Sequence, residues 1–271
     1  MKDNIMLGQY IPSDSVLHRL DPRTKLLSML TFTICSLLLN NYGGYAIASV
    51  FVGSQLLLSR VPLRNLLRGL KPVVLILSFT FVYHLFFTPG TPLWPGSAFK
   101  VTEAGIEKGL FVVWRILLLV SLASLLTLTT KPLDLAKALE QLLKPLSRWG
   151  VPVEAIALML VIAVRFIPAI IQEVDRIMLA QRARGYDIIA IKGHKRVFAY
   201  LSLVVPLLIT TVQRAEQLAM TIDARAYGTG RGRTSYRELR LSRMDYTAGG
   251  VTLAYVLLLL YLYLNMTIAL D

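Results

Sequence analysis

The stretch ALMLVIAVRFIPAIIQEVDRIMLAQRARG, Ala157 to Gly185, decides what kind of molecule this is. Its first half is apolar nearly all round. Its second half gains Glu173, Asp175, Arg176, Arg182 and Arg184, and it ends in a small–Arg–small triplet. Extended back to Pro152, such a helix reaches about 50 Å at 1.5 Å per residue. Pro168 removes one backbone donor and is expected to bend the rod. A helix this long, with an apolar start and a charged end, fits an all-α protein that works at a membrane.

A second helix with the same gradient follows, from Val197 to about Tyr227 with Pro206 inside it, and it closes in RAEQLAMTIDARAYG. One fixed offset aligns Ala183-Arg184-Gly185-Tyr186 with Ala224-Arg225-Ala226-Tyr227, and also pairs Asp175 with Glu216 and Leu179 with Met220. Ordinary helix-end chemistry explains one such arginine, because cations favour the last carbonyls and glycine often follows the last turn. Two copies on two over-long helices point further. Small neighbours let a helix end approach another protein, where a guanidinium fork bonds carboxylates or carbonyls.

Composition agrees with a membrane setting. The 271 residues are 55% hydrophobic and 17% charged, against about a quarter charged in soluble domains. The net charge of +13 reads as lysine and arginine retained on the cytoplasmic side rather than as a nucleic-acid surface. Cys35 is the single cysteine, so no intrachain disulfide forms. The first residues lack the continuous apolar core of a cleavable signal peptide.

Outward from the two rods, the chain divides into an arm and four-helix membrane part (1–130), coupling helices with a basic loop (131–245) and a last span (246–271). Asp21-Pro22 is a helix start, with Arg19, Arg23 and Lys25 holding that end in the cytoplasm. Apolar runs at Leu26–Leu39 and Tyr45–Leu58 are short for full spans, which take about 20 residues. RVPLRNLLRGLK reads as an interfacial return before a third span at Pro72–Phe87, and Trp94 suits headgroup depth. A fourth run, Ile106–Thr129, contains Arg115, for which snorkelling or a local partner is expected. Leu135, Leu139, Leu142 and Leu146 form the stripe of a surface-lying helix interrupted by Pro145. The segment Gly228 to Arg243 is a basic loop, and the final span runs from Tyr246 to about Met266. Five spans put the N-terminus inside and the C-terminus outside.

Catalytic chemistry is missing from this pattern. No G-x-x-x-x-G-K-[ST] loop, H-E-x-x-H, cysteine pair or G-x-S-x-G occurs, and His18, His84 and His194 are scattered, so neither metal nor nucleotide is expected on this chain. A self-contained secondary transporter is the alternative. It calls for intramembrane carboxylates at a midplane site, and the first three and last spans carry none well inside.

GQYIPSDSVLHRLDPRTKLL, LLTLTTKPLDLAKALEQLLKPL and the two arginine-tipped stretches together resemble the transmembrane T component of energy-coupling factor (ECF) vitamin and metal transporters, the CbiQ-like family, over almost the whole chain. The arm looks most like the shared T component of multi-substrate modules. The resemblance implies a non-catalytic coupling subunit in the bacterial cell membrane, joining two ABC-type ATPase subunits to a substrate-binding S component, with several S components interchangeable. It implies no cofactor on this chain, with ATP and Mg held by the ATPases. Ala183, Arg184, Gly185, Ala224, Arg225 and Ala226 would be the ATPase-docking residues. The Leu135–Leu146 stripe is a candidate S-component contact, lipid being the other occupant. Ala226 stands where the family's commonest form has glycine; it is small enough to dock but disfavours a left-handed backbone.

Overall fold

Asp21 and Pro22 start a helix as their chemistry dictates: the carboxylate accepts from the Arg23 N–H at 2.9 Å and proline takes the first helical position. The computed structural model describes residues 10–39, 41–91, 93, 101–186, 195–226 and 241–268. Trp94, His194, Tyr227, the link at 192–194 and the basic loop at 228–240 lie outside the described residues. The regular elements described are nine α-helices and one 3-10 helix: α1 Val16–Arg19, α2 Pro22–Leu37, α3 Tyr42–Ser59, α4 Leu63–Phe87, α5 Glu103–Thr129, α6 Pro132–Leu143, the 3-10 turn Lys144–Trp149, α7 Val153–Ala183, α8 Lys195–Ala224 and α9 Arg243–Ile268. The expected all-α class is what the chain adopts. Met1–Val151 with Leu239–Asp271 form one unit, and Pro152–Glu238 a second.

Three stacked rings centre the first unit. Phe32 of α2, fully buried, lies 5.5 Å from Phe51 of α3 and 5.4 Å from Tyr255 of α9, and those two are 4.5 Å apart. Leu118 of α5 completes the cluster. The α4–α5 hairpin owes its close approach to two glycines one turn apart. A Cβ at Gly105 would meet the His84 carbonyl at 2.6 Å, and one at Gly109 would meet the Phe81 ring at 3.1 Å. Small residues at this spacing let helix backbones approach in lipid.

Polar ties close both ends of that bundle. Arg115 does have local partners: its guanidinium donates to the Leu39 carbonyl just past α2 and to the Tyr45 hydroxyl at 3.1 Å. It thus satisfies an orphan carbonyl at a helix end. At the other end, Lys25 donates to the Thr129 carbonyl and the Thr130 hydroxyl, both at 3.1 Å. Asp245, buried at the third position of α9, reaches back to the Ser242 N–H at 2.7 Å and accepts the buried Asp21 N–H at 2.7 Å. One carboxylate therefore caps its own helix and anchors α2. The arm folds onto this end: Ile11 N–H donates to the Leu128 carbonyl at 3.0 Å, and Lys131 lies over the Tyr10 ring. His18 is held between the Ile11 carbonyl and Ser15, and burial pushes its pKa below the ordinary value.

One expectation is corrected. RVPLRNLLRGLK is no separate interfacial return; from Leu63 onward it forms the first turns of α4, which runs unbroken through Pro72. Proline there costs one hydrogen bond, and the helix continues on both sides of it. By length and composition alone, five of the described helices are long and apolar enough to cross a membrane: α4, α5, α7, Phe198–Ala224 of α8, and Arg243–Leu262 of α9. With 16 and 18 residues, α2 and α3 reach only about 24 and 27 Å, short of about 30 Å of hydrocarbon.

Asp245→Ala strands the buried Asp21 N–H and uncaps α9, a loss of about 3 kcal/mol. Thermal unfolding of the detergent-purified chain should show Tm lower by about 5–10 °C. Asp14→Ala, which breaks only the exposed pair with Arg19, should leave Tm within about 1 °C.

Candidate docking site

The second unit is a pair of long helices, and its register determines what the two arginine tips can reach. Ala199 and Leu203 of α8 are buried against Ile177 and Met178 of α7. Gln181 points its amide at the Ser202 carbonyl at 3.5 Å. Further along, Phe166, Ala169, Ile170 and Glu173 face Thr210, Thr211 and Arg214 across a small cleft. As the α7 number rises, the α8 partner number falls, so the helices run antiparallel. Each arginine tip ends its own helix, so the tips sit at opposite ends of the pair. From the register and 1.5 Å per residue, Arg184 and Arg225 are on the order of 30–40 Å apart.

The two helix ends are built alike in the backbone. Gly185, at φ 80°, donates to the Arg182 carbonyl at 2.9 Å, and Tyr186 donates to the Gln181 carbonyl at 3.0 Å. That is a Schellman end with glycine in the left-handed position. The fixed offset seen in the sequence carries this geometry to α8, where Ala226, at φ 52°, donates to the Asp223 carbonyl at 2.8 Å. The expectation that alanine disfavours a left-handed backbone there meets a left-handed residue all the same, because the turn that exposes Arg225 demands it. A left-handed alanine costs about 1 kcal/mol relative to glycine.

Ala183, Arg184, Gly185, Ala224, Arg225 and Ala226 are all exposed. Each guanidinium therefore stands at a helix C-terminus between side chains no larger than a methyl group. Such an end can enter a groove and bond acceptors on its walls. The leucine stripe is divided differently. Leu139 and Leu146 are exposed, Leu135 and Leu142 are half-buried, and Leu146 lies in the 3-10 turn after α6. The residues of α6 that are buried are Ala136 and Ala138. Among the described residues, no group of histidine, cysteine and carboxylate side chains is placed to hold a metal.

One contact escaped the sequence reading. Glu173 accepts a charge-assisted hydrogen bond from Arg214, with side chains 12% and 43% exposed. A signal was present: the offset that aligns the two arginine tips also aligns Glu173 with Arg214, each eleven residues before its tip (173 to 184, 214 to 225).

Known proteins are similar to this chain over most of its length. The family described as CbiQ, cobalt transport protein, matches residues 13–236. A Bacillus subtilis relative is 42% identical over 88% of this chain and 91% of its own length. A Streptococcus thermophilus relative is 40% identical over 96% and 99%, and a Clostridium kluyveri relative 39% identical over 94% and 96%. All three carry the name energy-coupling factor transporter transmembrane protein EcfT.

A Cβ at Gly185 would touch nothing within 4 Å, so Gly185→Ala acts through the backbone alone. Hydrogen exchange of the Arg184–Tyr186 amides should speed up about five-fold, the equivalent of about 1 kcal/mol. Ala226→Gly should slow exchange at the end of α8 by a similar factor, and equal rates in both variants would contradict the matched geometry.

Proposed function

The chain belongs to the CbiQ family, as the transmembrane T component of an energy-coupling factor transporter, and from that premise we propose that it transmits the work of ATP hydrolysis to a separate substrate-capturing membrane protein. Two ABC-type ATPase subunits carry the ATP and Mg, and one S component, exchangeable among several, carries a vitamin or metal. The region 131–245 is the coupling part and contributes no catalytic group. Arg184, between Ala183 and Gly185, docks on one ATPase subunit. Arg225, between Ala224 and Ala226, docks on the other. Closure of the ATPase pair on nucleotide shifts both tips, and the apolar faces of the rods move the S component within the membrane. The leucine stripe at Leu135, Leu139, Leu142 and Leu146 adds to the S-component contact. Lysine and arginine flanking the arm and α4 favour a cytoplasmic N-terminus in a multi-pass bacterial membrane protein, with the C-terminus outside.

The observation that carries this reading is the pairing of two alike, exposed arginine ends at opposite extremities of one antiparallel pair. A single groove on one small partner would need the tips side by side. Tips on the order of 30–40 Å apart suit two subunits that lie next to each other. Engagement at both sites then raises the effective concentration of the second contact, so that two moderate contacts hold firmly.

Arg184→Glu and Arg225→Glu each reverse one docking charge. Losing one partner of a desolvated pair costs about 2–5 kcal/mol, so each variant should recover at least ten-fold less ATPase subunit on co-purification in detergent. The double variant should recover almost none. Undiminished recovery with the double variant would refute the docking role.

A further inference from the structure

Between α7 and α8 most of the contact is apolar: Ala199 and Leu203 against Ile177 and Met178, and Phe166, Ala169 and Ile170 along the cleft. Apolar contact is non-directional and lets two helices slide or pivot at little cost. The Glu173–Arg214 bond is different. It is charge-assisted and directional, and Glu173 is mostly withdrawn from solvent, where a charge without its partner is strongly disfavoured. It stands at equal chain distance from both tips, eleven residues from each (173 to 184, 214 to 225), about 16 Å along either helix.

We propose that the Glu173–Arg214 ion pair is the pin about which the two coupling rods act as levers with equal arms, so that displacement of one tip is passed to the other rod instead of being lost as slippage between them. Both are positioning residues; neither touches a partner through the docking motifs. With the pin intact, the rods keep one register and a tip displaced at one ATPase moves the second rod with it. With the pin removed, the apolar seam allows several registers, and each tip follows its own ATPase subunit. The proposal rests on the coupling function above.

Two measurements test it, one independent of that function. In the first, Cys35→Ser chain is spin-labelled at the exposed positions Leu179 and Met220 near the two tips, and their separation is measured by double electron–electron resonance. The unaltered pin should give one narrow distance population. Glu173→Gln and Arg214→Gln, which keep side-chain bulk, should at least double its width, and the charge swap E173R/R214E should narrow it again. In the second, the complete transporter is assembled in proteoliposomes and substrate uptake is counted per ATP hydrolysed. Glu173→Gln and Arg214→Gln should retain the ATPase subunits and their hydrolysis, yet lose uptake per ATP at least ten-fold, and the swap should restore at least half. An unchanged distance width in the single variants overturns the pin. So does unchanged uptake per ATP, or a swap no better than the singles. Failure of the unaltered chain to retain ATPase subunits would instead count against the coupling function and leave the distance arm to judge the pin alone.

Discussion

The antiparallel register of α7 and α8 is the constraint on which the functional arrangement depends. Two helices of similar sequence placed side by side in parallel would bring both arginine tips to one spot. Antiparallel packing sends them to opposite ends: Ile177, Met178, Ala199 and Leu203 meet along the seam, with the Glu173–Arg214 pair beyond them. Each rod then carries its arginine free of the seam. The left-handed turn at Gly185 and at Ala226 ends each rod cleanly, so that the guanidinium is the last feature of the helix rather than one side chain among many.

The first unit solves a separate problem. In hydrocarbon the burial of apolar surface gives helices no reason to prefer one another over lipid, so packing detail and polar ties have to specify their arrangement. The ring stack of Phe32, Phe51 and Tyr255 and the glycine pair on α5 supply the packing. Arg115 ties α5 to the end of α2 at one extremity, while Lys25 and Asp245 tie α2, α5 and α9 at the other. Each uses a charge to satisfy a backbone group that a helix end or a turn leaves without a partner, which is why ionised side chains persist in so apolar a chain.

Much of this was legible in the sequence, and the reasons for the remainder are physical. Asp21-Pro22 announced a helix start because capping is local chemistry, and the small–Arg–small triplets announced helix ends for the same reason. Arg115 was expected to snorkel or to find a local partner, and it does the second. The identity of the spans was harder, since Val153–Ala183 and Phe198–Ala224 also have the length and composition of a membrane-crossing helix. Pro72 suggested a boundary because proline removes a hydrogen bond, yet the surrounding helix outweighs that one loss. The burial of Ala136 and Ala138 was hidden because alanine carries little hydrophobic signal beside a row of leucines. Glu173 and Arg214 are distant in sequence, and only the repeated offset hinted that they meet.

The proposed coupling function comes down to where the two arginines go. The most direct measurement is a structure of the chain purified together with its partners from native membranes. The account predicts Arg184 and Arg225 in grooves on two different ATPase subunits, each guanidinium within hydrogen-bonding distance of carboxylates or carbonyls on the groove wall. Both arginines on one subunit, or either of them facing solvent while the transporter is fully assembled, would contradict it.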